Sequence, residues 1–194
     1  MELLNRNITN PVTRPIKVVQ FGEGNFLRGF VDYMIDIANE QGKFDGNIVL
    51  VKPIEFGNLE NFHKQDCQYT VSLRGRVDGE GRIINRRITS VCDAVDSYTE
   101  YEKYMGLAEI DTLRFIVSNT TEAGIVFDDT DRFELDPPKT FPGKLTKFLY
   151  HRYKTFQGDL SKGLVMLPVE LIDDNGIMLH KCVLQLIELW GLGE

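Results

Sequence analysis

Cysteine is scarce in this chain of 194 residues: Cys67, Cys92 and Cys182 stand far apart, with no C-x-x-C pair. That scatter excludes a disulfide framework and a thiolate metal centre, and predicts buried, reduced thiols. Histidine is as rare, with three residues, and no metal cluster of suitable spacing is visible. Long apolar runs are missing too. The opening stretch "MELLNRNITNP" has no apolar core of a leader, and no segment approaches membrane-spanning length. The expectation is a cytoplasmic protein with no membrane partner. Positive charge is in deficit, with 22 Lys plus Arg against 29 Asp plus Glu. No nucleic-acid partner is therefore expected, although a local basic pocket remains open. There is no internal repeat and no low-complexity tract. The hydrophobic share of 42% is ordinary and supplies one core, and the length fits one domain or one domain plus a fragment.

The hydrophobic pattern alternates between strand and helix. "IKVVQF", Ile16 to Phe21, is a β-branched run that stops at Gly22. From there Phe26, Phe30, Met34 and Ile37 recur at helical spacing, and Gly42 supplies a stop. "NIVLV", Asn47 to Val51, is a second strand closed by Pro53. Strand, helix, strand at this length is the βαβ unit of a parallel sheet. The run Gln68 to Val91 departs from the rhythm, with two strand-like stretches around Asp78-Gly79-Glu80-Gly81, and predicts an inserted antiparallel hairpin added to the sheet. A polar helical segment (97–110), a strand "RFIVSN" (114–119), an ordered Asp- and Pro-rich loop (128–142) and a helix (143–156) follow. "GLVMLP" (163–168) reads as a buried strand, and a last helix from about Gly176 carries Leu179, Val183, Leu186 and Trp190 on one stripe. The fold class expected is α/β, a Rossmann-like doubly wound, mainly parallel sheet with that hairpin inserted.

Two glycines one residue apart, in "VVQFGEGNFLRGF", separate the first strand from its helix. A pyrophosphate can sit on a helix start, where backbone N–H groups are unpaired, provided the side chains at the turn vanish. Gly22 would permit the turn and Gly24 the close approach. Leu27 stands where the third glycine of G-x-G-x-x-G would be, so the pair by itself also fits a plain strand-to-helix turn. "SNTTEAGI" (118–125) and "VELIDDNG" (169–176) each follow a strand, at the end where open α/β sheets bind ligands. The first also reads as a self-capping turn. Asp173, Asp174 and Asn175 are as well suited to capping the last helix as to touching a ligand.

"FGEGNFLRGFVDYMID" resembles the polyol-specific long-chain dehydrogenases, the mannitol dehydrogenase family, whose glycine loop runs G-x-G-x-F-x-R. Here that is Gly22, Gly24, Phe26 and Arg28. "SNTTEAGI", "PGKLTKFL" and "LPVELIDDNG" match further segments in the same order, so the resemblance covers nearly the whole chain. It implies NAD as cofactor and reduction of a sugar acid in hexuronate catabolism. It also implies a cofactor site at Gly22, Glu23, Gly24, Asn25, Phe26 and Arg28, joined by Asn119, Thr120 and Glu122. Arg28 is a possible charge partner of the pyrophosphate, or a helix-surface ion pair. At the end of the second strand an NAD fold usually has an acid for the ribose. Here Lys52 comes first and Glu55 is near. Lys52 could meet a 2′-phosphate or be a solvated loop charge, and Glu55 could serve the ribose.

The family's catalytic motif, K-x-x-x-x-N-x-x-H, is absent. Eight residues before His63, His151 and His180 stand Glu55, Gly143 and Ile172. Many relatives have Cys-Asp-Asn where this chain has Val169-Glu170-Leu171, so the asparagine role does not transfer. No catalytic residue is therefore expected within the chain. Residues 1–194 are expected to form one NAD-binding Rossmann-like domain, with the sugar-acid site shared with a helical C-terminal domain that is absent. The competing expectation is a nucleotide-binding module without chemistry.

Overall fold

Alternate side chains of the strands divide between two cores. β1 (Ile16–Phe21) sends Val19 and Phe21 to one side and Val18 and Gln20 to the other. β2 (Asn47–Lys52) does the same with Val49 and Val51 against Ile48 and Leu50, and all six of its residues are buried. Burial on both faces is the signature of a parallel sheet covered by helices. The computed structural model describes residues 3–121 and 124–193, with the backbone alone at Val77.

β5 (Val91–Asp96), β6 (Phe115–Ser118) and β7 (Val165–Pro168) complete the sheet, in the order β5-β2-β1-β6-β7. Every pairing is parallel. The chain winds outward from β1 to β5, then crosses back to β6 on the other side of β1, which makes the sheet doubly wound as expected. On one face lie α5 (Tyr101–Gly106), α6 (Phe141–Thr155) and α7 (Asn175–Leu189), with Tyr104, Phe148 and Leu179 among the residues packed on Phe21 and Val51. The α7 stripe faces this core through Leu179 and Val183, Leu186 is buried as well, and Trp190 donates its Nε1–H to the Asp131 carbonyl. On the other face lie α2 (Asn25–Gly29), α3 (Val31–Glu40) and α4 (Glu60–Lys64), while α1 (Arg6–Thr9) anchors the N-terminal segment through Asp66 and Cys92. Among the described residues no helix is long and apolar enough to cross a membrane. The three cysteines are free, Cys67 and Cys182 buried and Cys92 half-buried.

Four expectations are revised. The hairpin, β3 (Tyr69–Val77) and β4 (Glu80–Ile88), pairs only with itself and forms its own two-stranded sheet. Its base is packed through Tyr69 and Ile88, whereas Leu73, Ile83 and Ile84 are exposed further out. The run to Val91 is not one strand: it breaks at Thr89 and Ser90, and the hydrophobic pattern alone does not separate β5. Strand β7 is an edge strand rather than a buried one, with Val165 and Leu167 39% and 44% exposed.

The fourth revision concerns the first helix. Most of its apolar stripe points outward: Phe26, Phe30 and Met34 are exposed, and only Ile37 is half-buried. Its buried face carries Asp32, Asp36 and Asn39. The reason lies in what it packs on. Asp36 takes Nε and Nη2 of Arg86, both at 2.7 Å, and the backbone N–H groups of Thr89 and Ser90 at 2.9 and 3.1 Å. Asn39 bonds both ways with Gly46. The helix is thus a polar clamp on the hairpin's exit and on the turn into β2. It is also broken at Phe30, whose ψ of −80° separates α2 from α3.

Asp36→Leu should cost about 3 kcal/mol in urea unfolding, because Arg86 and two amides lose their acceptor. Met34→Gln should change stability by less than about 0.5 kcal/mol. Equal losses in the two variants would contradict the inverted helix.

Candidate functional site at the carboxyl ends of the strands

Gly22 is where the winding reverses. Its N–H donates to Val51 O at 3.0 Å, and Asn119 N donates to Phe21 O at 3.0 Å, so β1, β2 and β6 end together. Gly22 has φ +115°, a conformation glycine alone adopts freely. A Cβ built on it would lie 2.8 Å from Asn119 O, inside contact distance of rigid backbone. Gly24 differs. Its φ is −68°, and nothing lies within 4 Å of a Cβ placed there. The turn itself does not need that glycine, and the space in front of it is open. α2 starts at Asn25, and its first-turn N–H groups have no intrahelical acceptors.

The ends of β6 and β7 are tied to each other. Asn119 Nδ2 donates to Val169 O at 2.8 Å. Thr120 gives both its N–H and its hydroxyl to Glu170 Oε1, each at 3.1 Å. Asn175 closes the group by donating to Pro168 O and Glu170 O, which puts it in the fabric of the loop before α7. Asp174, the residue before that helix, makes no side-chain cap. Glu170, which no sequence motif marks as a site residue, is buried and holds the loop. The one signal it leaves in the sequence is an acid two residues after a strand.

At the end of β2, Lys52 is buried and fully engaged. Its Nζ donates to the carbonyls of Ile54, Glu55 and Phe56 at 2.6, 3.1 and 3.3 Å, and pairs with Asp96 at 3.1 Å. The solvated-charge reading of Lys52 is therefore corrected: the loop after β2 is wrapped around its ammonium. The Glu55 side chain remains exposed on that loop. Burial raises the Glu23 carboxyl above its usual range, opposed by its backbone N–H, Lys52 and Arg28. Between this loop and Thr120 opens a cavity of about 370 Å³, lined by Pro53, Ile54, Phe56 and Tyr98 among others. Tyr98, which belongs to no motif of the sequence, is held in place by Lys144, whose Nζ is 3.1 Å from its hydroxyl. Burial lowers Lys144 to about 8.

Of the residues singled out in the sequence, Gly22, Glu23, Gly24, Glu55, Asn119 and Thr120 lie on the strand-end turns, Asn25 and Phe26 open α2, and Lys52 ends β2. Glu122 lies outside the described residues. Arg28 points inward: its guanidinium lies over the rings of Phe62 and Tyr69, at 5.5 and 5.8 Å, and binds Asn25 Oδ1. It makes no ion pair among the described residues. His151 is paired with Glu109, and His63 and His180 are exposed on α4 and α7. Among the described residues no group of three potential metal ligands occurs.

The same architecture recurs in known proteins. A family model for the mannitol dehydrogenase Rossmann domain matches residues 16–190. Altronate oxidoreductase of Bacillus subtilis (strain 168) is 48% identical over 195 residues, covering 100% of this chain and 41% of that protein. The protein of the same name in Phocaeicola vulgatus is 45% identical over 196 residues, with 100% and 40% covered. The chain thus spans about 40% of the length of these curated relatives. Among solved structures, Pseudomonas fluorescens mannitol 2-dehydrogenase, in ternary complex with NAD and D-mannitol, aligns with TM-score 0.73 at 17% identity, over 97% of this chain and 42% of that one. A D-sorbitol dehydrogenase in substrate-free form aligns with TM-score 0.74 at 18% identity, over 96% and 43%. These two share the fold.

The two glycines predict opposite stability outcomes. Gly22→Ala should lower unfolding free energy by about 2 kcal/mol or more, through the forced φ and the clash with Asn119 O. Gly24→Ala should shift it by no more than about 1 kcal/mol. Thermal or urea unfolding of the two variants decides.

Proposed function

The chain belongs to the mannitol dehydrogenase family, and we propose that residues 1–194 are the NAD(H)-binding domain of an altronate oxidoreductase, which reduces tagaturonate to altronate. The observation that carries this reading is the turn at Gly22 to Phe26. A conformationally forced glycine is followed by one whose only evident use is empty space, at the switch point of a doubly wound sheet. The residues fit a dinucleotide. First-turn N–H groups and Gly24 would take the pyrophosphate, with Asn25 held from below by Arg28. The cavity beside Tyr98 would take the adenosine, and the Glu55 carboxylate the ribose hydroxyls. Lys52 already has four oxygen partners, which leaves nothing to attract a 2′-phosphate and favours NAD over NADP.

The nicotinamide end would lie toward Asn119, Thr120 and Glu122. When bound, the cofactor supplies the hydride; the chain's own residues bind it, orient it and fix its distance to a carbonyl. Protonation of the carbonyl oxygen needs an acid, and none of the three histidines stands at the strand ends. That role falls to a lysine of a further domain, which would also complete the sugar-acid pocket, in a cytoplasmic enzyme of hexuronate catabolism. A nucleotide module without chemistry would need the glycine turn alone. The bonded group Asn119, Thr120 and Glu170, beyond the pyrophosphate position, favours the redox reading.

NADH titration by calorimetry tests the site. Gly24→Val should abolish binding while leaving the unfolding midpoint in place, and unchanged affinity would sink the assignment. NAD should bind more tightly than NADP. In an assay of NADH oxidation with tagaturonate, the 194-residue chain should be slower than a version extended by the lysine-bearing domain by at least about 10²–10⁴-fold. Comparable turnover would place the acid within this chain.

A further inference from the structure

Beneath the glycine turn, on the α3 side of the sheet, buried polar atoms stand without partners: Oε1 of Gln20 and Oδ1 of Asp32. Both residues are wholly buried. Gln20 Nε2 donates to Gly22 O at 3.1 Å. A carbonyl can only accept, so this bond fixes which way the amide points and leaves Oε1 on the other side. The Gln20 side chain lies beside the Asp32 carboxyl, whose Oδ1 makes no hydrogen bond. The other Asp32 oxygen, Oδ2, accepts from the Tyr69 hydroxyl at 2.5 Å. One amide, bonded to the carbonyl of the turn, therefore stands beside a buried acid.

The protonation state of that acid decides how the amide is shared. Ionised Asp32 only accepts: it pulls on Nε2 in competition with Gly22 O, and leaves Gln20 Oε1 with nothing. Protonated Asp32 carries a hydroxyl that donates to Oε1. Both vacant atoms are then satisfied at once, and Nε2 is left to Gly22. We propose that Asp32 is a proton-bearing positioning residue, which in its protonated form holds Gln20, and through Gln20 the Gly22 carbonyl, in the arrangement that receives the cofactor. This rests on the cofactor reading above. It differs from it in assigning a pH-dependent role to a residue that touches no ligand.

The surroundings support a proton there. Burial pushes Asp32 up to about 7, against the Tyr69 and Gln20 hydrogen bonds and the charge of Arg28 on α2, with Asp36 on α3 adding to the rise. From the hairpin side Tyr69 faces it, and Ser90 bonds its backbone carbonyl. The sign follows from linkage. The folded chain keeps this proton where the unfolded chain has lost it. Stability therefore declines from about pH 4 to about pH 7 and levels off above, while the hold on Gly22 is lost as pH rises through about 7.

The test uses the whole 194-residue chain and two readouts. In NMR, the Asp32 carboxyl carbon should titrate near pH 7, and the Gly22 amide should follow with the same midpoint, with no cofactor present. The NADH dissociation constant should rise about tenfold from about pH 6 to about pH 8, tracking the protonated fraction. Asp32→Asn, whose amide is a permanent donor, should bind as tightly as the wild type at about pH 6 and show no pH dependence. Gln20→Met should bind weakly at every pH, and its Gly22 amide should cease to follow Asp32, which keeps the test open if the asparagine variant does not fold. A Gly22 amide indifferent to the Asp32 titration, or an Asp32 midpoint near the ordinary value of about 4, overturns the proposal. If NADH fails to bind at any pH while Asp32 and Gly22 still titrate together, the positioning role stands and the cofactor reading falls.

Discussion

The carbonyl of Asn119 occupies the space that a side chain at residue 22 would need. Much of the molecule follows from that one approach. It lets β1 and β6 end in the same plane, with Gly22 N on Val51 O and Asn119 N on Phe21 O, so that three strand ends converge. Each such bond is worth only about 1 kcal/mol net, but an unmade one in a buried place costs more. The reversal of winding at β1 leaves a crevice above those ends, bounded by the β2 loop on one side and the β6–β7 ties on the other. A bulkier residue at 22 would not merely block a ligand. It would push apart the two halves of the sheet.

How much of this was legible in the sequence depended on whether the signal was local. The strands around Val19, Val49 and Val117 declared themselves because burial on both faces demands uninterrupted apolar runs. The glycine turn was legible because the positive φ at Gly22 and the missing side chain at Gly24 belong to those residues themselves, although the Asn119 carbonyl that closes on Gly22 does not. The inner face of α3 is not legible, for the opposite reason. A periodic apolar stripe says that one face is different, not which face is inside. Phe26 and Phe30 lost the interior to Asp36 and Asn39, because α3, besides packing Val31 and Ile35 on the sheet, must supply acceptors to the N–H groups of Thr89, Ser90 and Gly46. Strand β5 was hidden by its neighbour, since the hairpin's second strand runs almost into it with only Thr89 and Ser90 between. Tyr98 and Glu170 could not be found by spacing, because what recruits them is distant in sequence: Lys144 for the first, Thr120 for the second.

Basic side chains near the crevice illustrate the same point. Lys52 sits where a phosphate contact would be sought, yet it serves as a hub for three carbonyls of its own loop. Arg152 does likewise at the far end of the sheet, donating to the carbonyls of Lys162, Ala108, Ile110 and Leu113. Lys147 binds two more in the loop before α6. Irregular segments cannot pair their carbonyls along a ladder, and a cation with several donors is an economical substitute. In this chain a lysine or arginine beside a loop is first a strut, and its charge is largely used before any ligand arrives.

The projecting hairpin gives the chain a second electrical character. Arg74, Arg76, Arg82 and Arg87 stand on exposed positions of β3 and β4, opposed there only by Asp78 and Glu80, on a chain whose formal charge is −7. At separations beyond a Debye length, about 10 Å in ordinary buffer, a surface meeting the hairpin feels those guanidiniums and not the acidic body behind them. The isoelectric point of about 5.1 is thus a poor guide to its adsorption. A polyanionic matrix would retain the chain by this one arm at a pH where bulk titration says it should pass straight through.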